Sequence, residues 1–362
     1  MRKALVLLGL FGLSLGLQAQ HSSLGIGVNP GFLVAHRTDL KNIESHITGI
    51  ELLYEKRQLQ SDWTPFYKNP VTSVGLSYFN FGQEETGSAI TFQSTLQFSL
   101  KEWKRSSFNI RVGPGVGYVS KIFDAKENRR NQAIGSHWNA FMQTAFLMEH
   151  SIGENASKGY LSYGFGISHF SNGAFKMPNL GYNLPSLFFR YSVPLSGLES
   201  SKVQSSVVEP KEFDPFTYYS VSLTYARKER NFASPVTFNH KGLQSRIIRQ
   251  ANPVRAWRVG IDLMLDKTYK YTEFSQASLD SISLGEQVEI GLAGGHEWRV
   301  GKLRLGLEIG AYVLKPTTFK RDMYQKMGFT YNLTEHFNLM GNLKFHRGVA
   351  DYFEWGLTYN FK

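Results

Sequence analysis

Hydrophobic and polar residues alternate along most of the chain with a period of two, which is the period of a β-strand and not of a helix. Segments 90–100, 108–118 and 303–313 show the pattern most clearly, and others are 219–225, 257–265, 337–345 and 355–361. One face of each segment is apolar, and the other is polar or glycine. A soluble sandwich gives the same alternation, so the pattern predicts strands and leaves their surroundings open.

The spacing predicts eight strands before residue 196, at about 23–35, 46–57, 72–81, 88–101, 107–119, 135–150, 158–171 and 184–195. Segment 196–215 is polar and contains prolines, which is typical of a loop or linker. Five to seven further strands are expected over 216–362. We prefer a single barrel of 12 to 14 strands, because the later strands repeat the same apolar face. The alternative is an eight-strand unit with an appended sheet.

Composition and the N-terminus narrow the class of protein. The 362 residues include 14% aromatics, 34 Gly and no Cys, with a net charge of +11. The lack of Cys excludes a disulfide scaffold, and no apolar run of 18 residues follows residue 20 to form a membrane helix. Residues 1–20 are typical of a signal peptide, with Arg2 and Lys3 before an apolar stretch. The sequence therefore predicts an exported all-β protein, an antiparallel transmembrane β-barrel over 21–362 in a bacterial outer membrane.

One predicted strand carries residues suited to chemistry. In 160–171 the odd positions are apolar until His169 and Ser171, so both continue the face that meets lipid in a barrel. A Ser hydroxyl becomes a nucleophile when a base takes its proton, and a His on the same face supplies such a base. Asn172 and Gly173 follow, and they offer a side-chain amide and a backbone N–H to an oxyanion. An equally simple explanation of His169 and Ser171 on this face is that both side chains form hydrogen bonds with lipid headgroups.

The motif His169-Phe170-Ser171-Asn172-Gly173-Ala174, followed by Pro178-Asn179-Leu180-Gly181, resembles the signature of the lipid A 3-O-deacylase (PagL) family. The members are outer-membrane β-barrel esterases, with relatives named acyloxyacyl hydrolases. The resemblance covers roughly 134–195. It implies that His169 is the base, that Ser171 is the nucleophile, and that Asn172 with the Gly173 amide forms the oxyanion hole. It also implies that no cofactor and no metal are needed.

The chain departs from the family at the acid that orients the base, because Asn183 stands at that place. An Asn carbonyl can accept a hydrogen bond from an imidazole N–H, but it gives the imidazolium no counter-charge. Asn183 shares its face with the apolar side of the next strand. We therefore expect His169, Ser171 and Asn183 to meet on one outward face of two adjacent antiparallel strands.

The strand count also predicts where this group of residues lies. If the N-terminus is periplasmic, the seventh strand runs outward, and His169 and Ser171 lie at the outer leaflet. We expect the long segment 120–134 to be a periplasmic turn under the same count.

Other charged residues have simpler explanations. His346, Asp351 and Glu354 form a second cluster, and the alternation directs His346 and Glu354 into the lumen, where a network that braces the barrel is expected. The alternative is that the cluster contributes to substrate or ion contacts from inside the barrel. Basic runs at 104–105, 129–130 and 227–230 indicate solvated loops, which can also pair with lipid A phosphates. Nucleic acid is not an expected partner.

The sequence thus predicts an outer-membrane serine esterase that hydrolyses an ester-linked (hydroxy)acyl chain of lipid A in lipopolysaccharide. A porin-like or structural barrel without activity, and a phospholipase, are the alternatives. The sequence leaves the oligomeric state open.

Overall fold

The computed structural model describes residues 19–59, 61–195, 212–229, 236–270, 284–316 and 321–361. The protein is all-β, and its antiparallel strands form two closed barrels of eight strands each. Residues 1–18 of the predicted signal peptide and 196–211 of the predicted linker lie outside the described residues. The helices in the described ranges are short 3-10 turns, and none has the length and hydropathy of a membrane span.

The first barrel is closed by pairing between its first and last strands. Its strands are β1 (Ala19–Leu33), β2 (Ser45–Leu59), β3 (Val71–Asn80), β4 (Ser88–Glu102), β5 (Ser106–Val119), β6 (Trp138–Ile152), β7 (Gly159–Ser171) and β8 (Tyr182–Pro194). Each strand pairs with the next along the chain, and Val28 of β1 pairs with Phe189 of β8. Closure leaves no free sheet edge, which is the condition for a sheet that spans lipid.

The second barrel follows the same plan. Its strands are β9 (Phe216–Glu229), β10 (Thr237–Asn252), β11 (Arg255–Asp266), β12 (Val288–Val300), β13 (Leu303–Leu314), β14 (Met323–Asn332), β15 (Phe337–His346) and β16 (Val349–Phe361). Leu357 of β16 pairs with Leu223 of β9 and closes this barrel.

The antiparallel barrel class is confirmed, whereas the single barrel of 12 to 14 strands is wrong. The eight strands predicted before residue 196 match β1 to β8 with ends displaced by at most four residues. Within the described ranges, eight strands, not five to seven, follow residue 215, and they close on themselves without pairing with β1 or β8. Alternation reports only which side chains face lipid, so it is the same for one large barrel and for two small ones.

The two faces of each strand differ as the pattern predicts. On β7 the outward side chains of Leu161 and Phe165 are 41% and 61% exposed, whereas Ser162 and Ser168 on the opposite face are buried. The apolar residues are thus outside and the polar residues inside, which is the reverse of a soluble core and suits a lipid surround.

Paired charges fill the lumen of the first barrel. Three arginines and three glutamates from four strands (β2, β5, β6 and β8) are buried together there: Arg57, Arg111, Arg190, Glu51, Glu55 and Glu149. Arg111 donates to both carboxylate oxygens of Glu51, at 3.0 and 3.2 Å, and Arg57 lies 2.7 Å from Glu149. Buried charges persist only when paired and hydrogen-bonded, so this network braces the barrel from within.

An apolar core fills the lumen at the end of the first barrel where β7 finishes. Its aromatic members Phe79, Phe81, Phe141, Phe170 and Tyr182 are almost fully buried. Leu40 and Ile43, from the connection between β1 and β2, and Ala133 and Ile134, from the connection between β5 and β6, pack into the same core. The core therefore fixes the connecting loops onto the strand ends.

Four long connections of the first barrel lie at this same end, because they follow β1, β3, β5 and β7. They comprise residues 34–44, 81–87, 120–137 and 172–181. The expectation that 120–134 is a turn at the opposite end from His169 is wrong. Odd-numbered strands all end on one side of an up-and-down barrel, so this segment lies beside the predicted site.

The second barrel has its own network of charges, which contains the second cluster predicted from the sequence. His346 and Glu354 are buried in the lumen, as the alternation predicts. The ring of His346 lies 3.9 Å from Asp351 and is 2.9 Å from the Tyr312 hydroxyl. Glu354 accepts a hydrogen bond from Gln244 at 2.6 Å. These contacts agree with the expectation that the cluster is part of a network that braces the barrel.

Candidate functional site

His169 and Asn183 lie directly opposite each other on the adjacent strands β7 and β8. Nδ1 of His169 is 2.7 Å from Oδ1 of Asn183. This contact is the one that the alternation of the two strands predicts. An amide oxygen only accepts, so the His169 proton resides on Nδ1 and Nε2 carries the lone pair.

Phe170, between His169 and Ser171, explains why those two side chains face outward. It is fully buried in the apolar core, with its ring 4.9 Å from that of Phe141 and 5.8 Å from that of Phe79. Adjacent residues of a strand point to opposite faces. The anchored ring of Phe170 therefore holds His169 and Ser171 on the outer face of β7.

His36 contacts the other end of the Asn183 amide. Nδ1 of His36 is 2.9 Å from Nδ2 of Asn183. The closure of the barrel makes this contact possible, because it places the end of β1 beside the beginning of β8. The backbone N–H of Val34 donates to the carbonyl of Asn183 at 3.1 Å and continues this alignment past the end of β1. His169, Asn183 and His36 thus form a continuous chain of hydrogen bonds.

Gly181 packs against the ring of His169. A Cβ atom at this position would lie 2.7 Å from Cε1 of His169 and 2.9 Å from the carbonyl of Phe170. Its φ of +82° is in the left-handed region that favours glycine. The chain can therefore pass this close to the imidazole only with glycine here, and its passage leaves His169 half-buried instead of facing open lipid.

Ser171 is the last residue of β7, and its side chain is buried, with 9% exposed. It lies on the same face as His169, two residues further along the strand. Within the described part of the chain no hydrogen bond joins Ser171 to the imidazole of His169. Contacts of this kind are often loose before a substrate binds and tighten in the reacting complex.

Two hydrogen bonds orient Asn172. Its backbone N–H donates to Oδ1 of Asn179 at 2.8 Å, and its side-chain amide donates to Oγ of Ser136 at 2.9 Å. Gly173 follows in a left-handed conformation, with φ +64°. The turn after β7 is therefore held both by its own Asn179 and by Ser136 from the connection between β5 and β6.

Sequence reasoning missed four residues of this site: His36, Ser136, Asn179 and Gly181. The last three lie within the segment that resembles the family, and Asn179 and Gly181 are part of its motif, so that resemblance was a usable signal. His36 lies 147 positions from Asn183 and belongs to no motif. Only the pairing of β1 with β8 brings it to the site.

Apolar side chains cover the outer surface of the strands that lead to the site. Phe165 and Ile167 on β7 are 61% and 44% exposed, and Leu187 and Phe189 on β8 are 52% and 46% exposed. Phe165 pairs with Leu187 across the two strands. An apolar track on the lipid face thus runs along β7 and β8 to His169.

The basic runs do not all lie in solvated loops. Residues 104–105 join β4 to β5, at the opposite end of the barrel from His169. Lys228 is buried in the second barrel, 2.6 Å from Asp351 and 3.1 Å from Asp266. Arg130 remains in a connection on the side of the site, and its exposed guanidinium pairs with Glu85 at 3.0 Å.

Comparisons with solved structures give weak likenesses, two of them to outer membrane phospholipases. CdiB from Acinetobacter baumannii is 7% identical with a TM-score of 0.18, and the match covers 94% of this chain but spans only 60% of the CdiB chain. The Salmonella typhi outer membrane phospholipase (OMPLA) dimer with bound calcium is 8% identical, with a TM-score of 0.18 and coverage of 100% and 98%. Outer membrane phospholipase A from Escherichia coli is 10% identical, with a TM-score of 0.18 and coverage of 95% and 97%. No curated protein matches the sequence.

Two family models together cover nearly the whole chain. The model described as "Lipid A 3-O-deacylase (PagL)" matches residues 14–192, which include β1 to β7 and most of β8. The model described as "Acyloxyacyl hydrolase, C-terminal domain" matches residues 216–362, which contain the whole second barrel. The chain therefore belongs to the lipid A 3-O-deacylase (PagL) family of outer-membrane β-barrel proteins.

Proposed function

We propose that the protein is an outer-membrane serine esterase that removes an ester-linked (hydroxy)acyl chain from lipid A. Membership of the family supports hydrolysis of a lipid A acyl chain. The observation that carries the mechanism is the hydrogen bond from Nδ1 of His169 to Asn183. It leaves the Nε2 lone pair available as a base on the face that also carries Ser171.

In the proposed reaction, Nε2 of His169 takes the proton of Ser171 as Oγ attacks the ester carbonyl carbon. The tetrahedral intermediate collapses when the imidazolium returns that proton to the leaving sugar oxygen, and the acyl chain stays on Ser171. Water, activated by the same imidazole, then releases the fatty acid and restores the hydroxyl. Asn183 holds the imidazole in the required tautomer throughout, without a formal counter-charge.

Asn172 and Gly173 are the proposed donors to the oxyanion. The hydrogen bond to Ser136 fixes the direction of the Asn172 side-chain amide, and the left-handed Gly173 turns the backbone immediately after it. Donors held before the reaction stabilise the developing charge more than mobile ones, because no reorganisation is needed when the charge appears.

The position of the site, at the end of the exposed apolar surface of β7 and β8, suits an acyl substrate that is already in the bilayer. The exposed apolar track that includes Phe165 and Leu187 leads along the outer surface to His169. An acyl chain can therefore lie against the barrel and present its ester to Ser171 without leaving the membrane. With the N-terminus in the periplasm, the odd-numbered strands end outside, so the site faces the leaflet that holds lipopolysaccharide.

An open diffusion pore is disfavoured by the contents of both lumens. Eight-stranded barrels enclose a lumen that side chains fill. In the first barrel Arg111 and Glu51 are each 1% exposed, and in the second Lys344 is fully buried and lies 2.9 Å from Glu289. Among the described residues these buried ion pairs occupy part of each lumen, which supports an esterase over a porin-like role.

The test is mass spectrometry of lipid A from cells that produce the wild type, Ser171→Ala or Ser168→Ala. Ser168 is the matched control, because it lies on the same strand with its side chain in the lumen, bonded to Gln143. We expect the wild type and Ser168→Ala to release one hydroxyacyl chain, and Ser171→Ala to leave lipid A unchanged.

Unchanged lipid A with all three proteins, each folded in the membrane, would contradict lipid A as the substrate. Accumulation of lysophospholipid that depends on Ser171 would instead assign a phospholipase. Activity that survives Ser171→Ala would remove Ser171 from the role of nucleophile.

A further inference from the structure

The amide of Asn183 poses a problem that a carboxylate in its place would not. A carboxylate presents two equivalent acceptors to a neighbouring imidazole, whereas an amide has an accepting oxygen at one end and a donating NH2 at the other. If the amide turned over, its NH2 would donate to Nδ1 of His169 and move the imidazole proton to Nε2. His169 would then face Ser171 with a proton instead of a lone pair, and it could not act as the base.

His36 occupies the position that decides this orientation. Its Nδ1 lies 2.9 Å from Nδ2 of Asn183, so it accepts from the amide NH2 and carries its own proton on Nε2. At the other end Oδ1 of Asn183 is 2.7 Å from Nδ1 of His169. The two imidazoles are therefore coupled through the amide, and the tautomer of His36 selects that of His169.

We propose that His36 is a positioning residue for the esterase, and that it holds the Asn183 amide in the orientation that keeps His169 a base. The inference rests on the proposed function. It assigns to the connection between β1 and β2 a part in the reaction that no sequence motif indicates. The acceptor also polarises the amide, because successive hydrogen bonds in a chain strengthen one another. The Asn183 oxygen thereby becomes a better partner for the imidazolium and partly replaces the missing negative charge.

Water is a poorer substitute for His36 in this role. Nδ1 of His36 changes from acceptor to donor only when the imidazole changes tautomer, whereas a water molecule turns freely. With His36 removed, both orientations of the amide therefore find a partner at their outer end. A fraction of the molecules then holds His169 in the tautomer that cannot take a proton from Ser171. Substrate binding should be little affected, because the acyl track on β7 and β8 is unchanged.

The test combines His36→Ala with Asn183→Asp, in the full-length protein reconstituted in vesicles that contain lipid A. In the wild-type background we expect His36→Ala to lower kcat by about tenfold or more, with KM changed by less than about twofold. In the Asn183→Asp background we expect His36→Ala to change kcat by less than about twofold, because a carboxylate cannot turn a donor toward His169. Arg37→Ala, at the adjacent exposed position, controls for damage to the connection and should match the wild type.

An equal loss of kcat from His36→Ala in both backgrounds would overturn the proposal, since it would indicate a structural effect. No loss in the wild-type background would overturn it too. A measurement that needs no substrate distinguishes failure of the His36 proposal from failure of the proposed esterase function. Nitrogen NMR of protein labelled at histidine should show His169 protonated on Nδ1 in the wild type and a mixture of tautomers in His36→Ala. The Ser171→Ala lipid A experiment tests the esterase independently.

Discussion

The imidazole of His169 and the amide of Asn183 are joined at 2.7 Å across two neighbouring strands, at directly paired positions of β7 and β8. Cross-strand pairing fixes this contact through the backbone register, and so the geometry does not depend on a flexible loop. An amide in this position orients the imidazole without adding charge. In the proposed mechanism the site therefore separates two effects that an acid combines, the choice of tautomer and the stabilisation of imidazolium.

Replacement of Asn183 by Leu should remove the acceptor from His169. We expect kcat to fall by about 100-fold, because the imidazole then adopts either tautomer and either ring orientation. Asn183→Asp is the matched variant of similar size, and its kcat should equal or exceed that of the wild type, because a carboxylate also stabilises the imidazolium. Kinetics of acyl release from lipid A in vesicles measure both. A Leu variant as active as the wild type would show that Asn183 has no part in the reaction.

Gly181→Ala should impair activity more than folding. The new Cβ would lie 2.7 Å from Cε1 of His169, so the ring or the turn must move. A displacement of about 1 Å in such a site can lower kcat by about 100-fold. Gly348→Ala is the control, because Gly348 has a similar φ of +84° but no atom within 4 Å of the added Cβ. If both variants lose activity to the same extent, backbone strain and not contact with His169 is the cause.

Phe170→Ala should destabilise the first barrel. The Phe170 side chain is fully buried among the rings of Phe79, Phe81 and Phe141, and its removal leaves a cavity at the end of the lumen. We expect the free energy of unfolding in vesicles to fall by about 3–5 kcal/mol. Phe165→Ala, on the same strand but 61% exposed to lipid, should have a smaller effect. Urea titration followed by tryptophan fluorescence distinguishes the two, and an equal loss would contradict the proposed anchoring.

Glu51→Gln should show how much an uncompensated charge in the lumen destabilises the first barrel. The substitution keeps the shape of the side chain but removes the counter-charge of Arg111, whose guanidinium is 1% exposed. Breaking a buried pair from one side lowers the free energy of unfolding by about 3–5 kcal/mol. Asp322→Asn breaks an exposed pair with Lys315 and should lower it far less, because solvent screens exposed charges. The same urea titration tests this expectation, which fails if the two losses are similar.

The sequence by itself determined the local elements and which face of each strand meets lipid. Period-two alternation is a property of the extended backbone, so residues such as Phe165 and Ser162 could be assigned to opposite faces before any contact was known. The same argument placed His169 and Asn183 on one face. The resemblance over 134–195 added the site roles proposed for Ser171 and Asn172, which alternation cannot supply.

Only the tertiary structure decided the number of barrels and the surroundings of the site. Closure depends on which strands pair across long distances, and the pairings of β1 with β8 and of β9 with β16 leave no trace in the alternation. The first of these pairings also brings His36 to Asn183 across 147 positions. Hydrogen bonds between residues so far apart arise from the register of whole strands, and no local pattern in the sequence encodes that register.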